Sequence, residues 1–312
     1  MRIAVTGATG HLGGLIIDKL LARDVAASDI VAVVRNEEKA QDLAKQGINI
    51  AVAAYEDESA LAKAFDGVDR LVFVSASEVG KRIDQHTNIV NAAKSAGVAQ
   101  IAYTSLLNLD SSELFLAPEH VATERLLADS GIEHVLLRNG WYWENYVSGL
   151  ETGKSLGKFF SAAGEAKVSG AARADFAEAA AVVATTDGHA GKVYELAGAP
   201  ALAYPDIAAQ IGQVLGKDVE YVNQTPAEYE EFLRSAGVPA DFAAGLASAD
   251  PVIEQGALYS ESTDLQDLIG RPSSSVVDTF QQAYSVALPT TFTARLFVQK
   301  WRKARGELFL GS

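Results

Sequence analysis

The chain begins Met1-Arg2-Ile3-Ala4-Val5-Thr6-Gly7-Ala8-Thr9-Gly10-His11-Leu12-Gly13, an apolar run that passes through three glycines spaced three apart into a helical pattern at Leu12 to Leu21. Each glycine in such a turn has a physical task. One permits the tight reversal, one lets backbone N–H groups approach a diphosphate, and one lets the helix lie close on the sheet. The diphosphate then rests at the positive end of the helix. A lone glycine triplet also describes an ordinary tight turn, so its meaning depends on the pattern of the chain beyond it.

Beyond the turn the chain alternates regularly. Strands are expected at Arg2 to Thr6, Ile30 to Val34, Ile48 to Ala53, Arg70 to Val74, Gln100 to Thr104 and Glu133 to Leu137. Helical patterns lie between them at Lys39 to Lys45, Ser59 to Phe65, Ile83 to Ala96 and His120 to Ser130, with Gly47, Gly67, Gly97 and Gly131 near their ends. After Arg138 the rhythm breaks into Asn139-Gly140-Trp141-Tyr142-Trp143-Glu144-Asn145-Tyr146. A helix at Arg173 to Thr185 and a strand at Lys192 to Leu196 then return to the main sheet. From Tyr204 the pattern is helical, with one short strand at Val219 to Val222.

The expected fold is α/β, a Rossmann-type doubly wound parallel sheet with a smaller, mostly helical C-terminal domain. The expected division is a dinucleotide-binding domain over residues 1–150 that 168–198 rejoin, a smaller substrate-side domain over 199–290, and a basic extension over 291–312. That extension holds Arg295, Lys300, Arg302, Lys303 and Arg305 against the single acid Glu307, interleaved with Leu296, Phe297, Val298 and Trp301. Such a segment can lie on an anionic membrane, grip a partner or be a plain tail.

Composition narrows the chemistry. The 312 residues are 48% hydrophobic and 21% charged, as in folded globular chains. No apolar run approaches the ~20 residues of a bilayer span, and no signal-type segment precedes the glycine turn, so a cytoplasmic location is expected. With no cysteine there is no thiolate nucleophile or cysteine metal site, and redox chemistry must come from a bound cofactor. A net charge of −14 repels a phosphodiester backbone, so nucleic acid is not an expected partner. His11, His86, His120, His134 and His189 show no metal-ligand spacing, and no metal is expected.

Arg35-Asn36 ends the second strand, where an NAD-binding chain presents an acid to the adenosine ribose. A guanidinium there can take a 2′-phosphate, which favours NADPH, or it is a solvated arginine at a strand end. Ser75-Ala76-Ser77 and Tyr103-Thr104-Ser105 fall at the carboxyl edge, where small residues leave room for ribose and nicotinamide or simply terminate strands.

The Gly-x-x-Gly-x-x-Gly spacing looks like that of short-chain dehydrogenases, whose usual relay is a Tyr-x-x-x-Lys on the helix after strand five. Here that helix reads His120-Val121-Ala122-Thr123-Glu124. Without the relay an ordinary ketone is a poor acceptor, because its alkoxide must be protonated as hydride arrives. Quinones and cationic dyes need less help, and holding nicotinamide and acceptor face to face can suffice. His120 could serve as an acid or be a packing residue. The amides and aromatics Asn139, Trp141, Tyr142, Trp143 and Asn145 could wall a flat acceptor or seal a seam between domains, and Asn145 and Tyr142 are the candidates for a catalytic role.

These segments, with Ile30-Val31-Ala32-Val33-Val34-Arg35-Asn36, Ser75 to Gly80, Ile101 to Leu107, Leu136 to Tyr142, Arg173-Ala174-Asp175 and Lys192 to Gly198, resemble the NmrA-like atypical short-chain dehydrogenases. The resemblance runs to about residue 285. It implies NADPH as hydride donor and a quinone as acceptor. It places the cofactor at Gly7, Ala8, Thr9, Gly10, His11 and Leu12, at Arg35, at Ser75, Ala76 and Ser77, and at Asn139, Gly140, Trp141, Tyr142, Trp143, Glu144 and Arg173. His11 stands where a glutamine is usual. Some members bind the dinucleotide without turnover as redox-sensing regulators, and a related reductase takes triphenylmethane dyes; assembly, for instance as a homodimer, is left open.

Overall fold

Every residue of the run Ile30–Val34 is buried, which happens to a strand covered on both faces. In the computed structural model, which describes residues 1–286, that strand lies inside a seven-stranded sheet. The basic extension expected at 291–312 lies outside the described residues.

The elements run β1 (Ile3–Val5), α1 (His11–Ala22), β2 (Ile30–Val34), α2 (Gln41–Lys45), β3 (Asn49–Val52), α3 (Glu58–Ala64), β4 (Arg70–Phe73), α4 (Arg82–Ala96), β5 (Gln100–Leu106), α5 (Ala117–Ser130) and β6 (Glu133–Asn139). They continue with α6 (Ser148–Leu156), β7 (Lys158–Ser161), β8 (Lys167–Val168), α7 (Arg173–Thr185), β9 (Val193–Leu196), β10 (Leu202–Ala203) and α8 (Tyr204–Leu215). The last are β11 (Glu220–Asn223), α9 (Pro226–Ser235), α10 (Ala240–Glu254), α11 (Asp264–Ile269) and α12 (Val276–Val286).

The chain divides into two compact units. The first comprises Met1–Tyr142, Val168–Ala201 and Gly256–Ser274; the second comprises Trp143–Lys167, Leu202–Gln255 and the described chain from Ser275 on.

In the first unit the strand order is β3-β2-β1-β4-β5-β6-β9, every ladder parallel. The order reverses between β1 and β4, the switch point beside which ligands of open α/β sheets collect. Alternation along the strands sorts the core. Ile3, Val5, Ala32 and Val34 pack with Ile16, Leu20, Phe176 and the alanines of α7 on one face. Ala4, Val31 and Val33 pack with Leu61, Phe65, Ile89 and Leu127 on the other. Each large side chain so buried contributes about 1.5–3 kcal/mol.

Two strands run two residues past their expected ends. β5 and β6 run on to Leu106 and Asn139, because their ladder continues through Ser105↔Arg138 and Leu106↔Asn139. Asn139 is therefore the last residue of a central strand. Before α2 the chain makes a tight turn at Glu38–Ala40 in place of a helix from Lys39, with the Asn36 side-chain oxygen Oδ1 accepting the Glu38 amide at 2.8 Å.

In the second unit β7 pairs in parallel with β11, Phe159 opposite Tyr221. α6 lies close to its neighbours through glycines: a Cβ at Gly149 would stand 2.7 Å from the Phe159 ring, and one at Gly153 2.9 Å from Ile211.

Candidate active site

β1 delivers the chain into its turn with Gly7 at φ +60°, a left-handed conformation that a side chain resists. The Gly7 carbonyl accepts the Gly10 amide at 2.8 Å. A Cβ on Gly13 would collide with that same carbonyl, so glycine at this position lets α1 start directly above the turn. Gly10 caps α1 without a side-chain hydrogen bond, and the first helical turn carries no acidic residue. The first-turn amides, at His11, Leu12 and Gly13, have no intrahelical acceptor and face a positive helix end. Thr9, Gly10 and His11 are exposed, while Ala8 and Leu12 are buried and fix the turn to the core. This cradle fits a diphosphate in backbone approach, charge and donors.

Arg35, the residue after β2, is exposed and pairs with Glu78 at 2.9 Å. Lys81 reaches the other oxygen of the same carboxylate at 3.2 Å. The hydrogen bond and charge of Lys81, with Arg35 adding to them, hold the Glu78 carboxyl below its ordinary range.

Glu78 stands on the segment that follows β4, whose backbone is held from several sides. Thr6 Oγ1 accepts the Val74 amide at 2.9 Å, and Thr104 Oγ1 accepts that of Ser75 at 2.9 Å. His86 Nε2 accepts the Ala76 amide at 2.9 Å, and Arg82 Nε donates to the Ala76 carbonyl at 2.8 Å. Glu119, paired with Arg82 at 2.9 Å, accepts the Gly80 amide at 2.8 Å. Ser75 is half-buried, Ala76 buried and Ser77 exposed. Sequence reading missed Arg82, His86 and Glu119. Nothing in the spacing of a polar residue on a helix announces that it supports a distant loop.

At the end of β6, Gly140 is fitted between carbonyls: an added Cβ would stand 2.9 Å from that of Leu196 and 3.0 Å from that of Ser169. Asn139 is 5% exposed, and its side-chain oxygen is buried without a hydrogen-bond partner. Its Nδ2 lies 3.4 Å from the Tyr142 hydroxyl. Tyr142 is half-buried, its ring edge-on to Phe176 at 5.3 Å and under the Arg173 guanidinium at 4.9 Å. Trp141 is half-buried, and its carbonyl accepts the Ala171 amide at 3.1 Å. A buried amide oxygen without a donor calls for a ligand N–H, which a nicotinamide carboxamide carries, so this end of the edge also fits the cofactor.

Beneath Asn139, Arg138 is ringed by carboxylates: Asp110 at 2.8 Å, Glu124 at 2.8 Å and Glu195 at 2.9 Å. The Glu124 hydrogen bond first, then those of Asp110 and Glu195, raise the Arg138 guanidinium above its already high value. Glu124 also accepts from Ser105 Oγ at 2.6 Å.

His120 is 5% exposed, and its Nδ1 meets the Tyr103 hydroxyl at 2.7 Å. Burial, with the nearby Arg82 charge, pushes the imidazole down to about 3. It is neutral at physiological pH, and its burial and its hydrogen bond to Tyr103 favour the packing reading over the acid one.

Trp143, Glu144 and Asn145 fall in the second unit. Trp143 is 2% exposed and joins an aromatic cluster, 6.3 Å from Tyr146, whose hydroxyl meets that of Tyr204 at 3.1 Å. Glu144 is half-buried and Asn145 exposed.

Comparison with known proteins gives a consistent picture. The family model described as NmrA-like family matches residues 1–293. Quinone oxidoreductase 2 of Escherichia coli is 48% identical over 284 residues, 91% of this chain and 99% of that protein. The solved structure of an NADPH-dependent quinone oxidoreductase from Escherichia coli, complexed with NADPH, has a TM-score of 0.87 at 48% identity and covers 91% of this chain and 100% of that one. Triphenylmethane reductase of Citrobacter sp., complexed with NADP(H), has a TM-score of 0.87 at 39% identity, over 90% of this chain and 100% of that one.

Proposed function

The chain belongs to the NmrA-like family, and from that membership we propose that it is an NADPH-dependent oxidoreductase that transfers hydride to a quinone. NADPH is the cofactor, and it supplies the hydride when bound.

The residue roles are part of the proposal. The first-turn amides of α1 hold the diphosphate, and Arg35 holds the 2′-phosphate. Ser75 and Ala76 give the ribose a small-residue floor, and Asn139 Oδ1 takes a hydrogen bond from the carboxamide. Tyr142, its ring set by Phe176 and Arg173, orients the acceptor's oxygen through its hydroxyl.

The observation that carries the choice of acceptor is the fate of His120 and Glu124, the residues in place of the relay. Both are committed to internal partners, His120 to Tyr103 and Glu124 to Ser105 and Arg138. Neither is left to protonate an alkoxide. A quinone that gains hydride forms a phenolate stabilised by conjugation, and water can protonate it afterwards. The rate then rests on orientation and the exclusion of side reactions. The likeness to a triphenylmethane reductase supports cationic dyes as a second acceptor class of the same chemistry.

The experiment is to follow NADPH absorbance with benzoquinone, menadione and a triarylmethane dye, with NADH as control. Oxidation with at least one quinone, faster for NADPH, is the expected result. Firm NADPH binding with no oxidation by any acceptor would replace this reading with that of a redox-sensing regulator.

A further inference from the structure

Two cations that are exposed and far apart in sequence converge on one side chain. Arg35 Nη1 lies 2.9 Å from Glu78 Oε1, and Lys81 Nζ lies 3.2 Å from Glu78 Oε2. The guanidinium and the ammonium are thus held within the span of a single carboxylate, beside the strand end where a 2′-phosphate belongs. We propose that Glu78 stands in for the nucleotide's 2′-phosphate, holding Arg35 and Lys81 as a two-cation clamp that the phosphate takes over. The proposal rests on the NADPH reading and adds two residues to it, Lys81 as a phosphate ligand and Glu78 as an internal competitor.

Three features support it. First, the exchange is easy. The side chains of Arg35, Glu78 and Lys81 are 66%, 35% and 70% exposed. Ion pairs that exposed contribute at most about 1 kcal/mol, so little resists their opening. Second, the clamp is nevertheless placed. The backbone that carries Glu78 is tied at Ala76 by His86 and Arg82 and at Gly80 by Glu119, and Lys81 follows directly. Opening needs only side-chain rotation, with the cations staying at the edge. Third, the charges favour the phosphate. A phosphate monoester carries about −1.5 to −2 charges on three oxygens and can engage both cations, whereas a carboxylate offers one charge. A nucleotide with only a 2′-hydroxyl brings no charge to displace Glu78, so the clamp stays shut. Discrimination between NADPH and NADH then comes from an internal rival as well as from an attractive arginine.

The test is calorimetric titration of the full chain with adenosine 2′,5′-bisphosphate and with 5′-AMP, which need no turnover. Lys81→Met is expected to weaken the bisphosphate about fivefold and leave 5′-AMP unchanged. Glu78→Gln is expected to tighten the bisphosphate about threefold or more and leave 5′-AMP unchanged. Thermal melting of both variants should match the parent, since neither side chain is buried. An unchanged bisphosphate affinity in Lys81→Met, a weakened one in Glu78→Gln, or equal shifts for the two nucleotides would each overturn the clamp while leaving the NADPH reading intact. Failure of the parent protein to bind NADPH or either nucleotide would overturn the cofactor reading itself, and the clamp with it.

Discussion

His86 Nε2 accepts the Ala76 amide hydrogen at 2.9 Å while its Nδ1 meets Thr123 Oγ1 at 2.8 Å. An amide N–H can only donate, so Nε2 must be the bare nitrogen and the ring proton sits on Nδ1. The imidazole is a neutral post between α5 and the loop that borders the cofactor edge. Replacing it by alanine strands a buried amide, at a cost of about 1–3 kcal/mol, beyond the cavity it leaves. His86→Ala should lower the melting temperature and raise the KM for NADPH with a smaller effect on kcat. A variant with lower stability but unaltered KM would show that His86 supports the fold and not the loop.

The same histidine predicts an acid-sensitive fold. Burial, helped by Arg82 and His120, pushes His86 down to about 2, and His120 falls to about 3 from the ordinary 6.5. Well above pH 6.5 both rings are neutral whether the chain is folded or not, and their contribution to stability is complete. Below 6.5 the unfolded chain protonates both rings while the folded chain leaves them neutral, and His189, lowered chiefly by burial, adds to the difference. Stability then drops by up to about 1.4 kcal/mol per pH unit for each histidine, down to the folded values. Urea unfolding between pH 7.5 and 5.5 should show this fall, and His120→Gln should reduce its slope. A flat profile over that range would mean that neither ring is held neutral.

Neighbouring glycines on α1 separate binding from stability. A Cβ on Gly13 runs into the Gly7 carbonyl, whereas one on Gly14 has its nearest heavy atom, the Ala8 carbonyl oxygen, at 3.6 Å. Gly13→Ala should displace the turn and weaken NADPH at least about tenfold by misplacing its amides. Gly14→Ala should bind normally and gain up to about 1 kcal/mol from helix propensity. Equal affinities in the two variants would remove the first turn from the cofactor site.

Arg138 offers the largest stability effect. Its side chain is 8% exposed and Glu124 is 11% exposed, so Arg138→Met leaves a buried carboxylate without its cation. The expected loss is about 3–5 kcal/mol, read as a shift in the urea midpoint. Glu124→Gln in the same chain should recover part of it. The Asp110 contact adds little, because that carboxylate is 86% exposed. If the second change made matters worse, Ser105 rather than the charge of Arg138 would be what Glu124 serves.

The sequence alone determined the parallel sheet, the glycine turn and the place of Arg35. These come from local rules: strands covered on both faces read as unbroken apolar runs, and a turn without room for a Cβ reads as glycine. α7 was legible to the residue, Arg173 to Thr185. The tertiary structure alone decided the partners. It put Glu78 against Arg35 across 43 positions, Arg82 against Glu119 across 37, and Glu195 against Arg138 across 57. It also buried the His120 that a helix pattern left open, and assigned Tyr142 and Trp143, neighbours in sequence, to different units. Steric limits on φ, ψ and Cβ act within a few residues and leave a periodic trace. A side chain's charge partner depends on which strand ends the topology sets side by side, and that leaves no trace in its own neighbourhood.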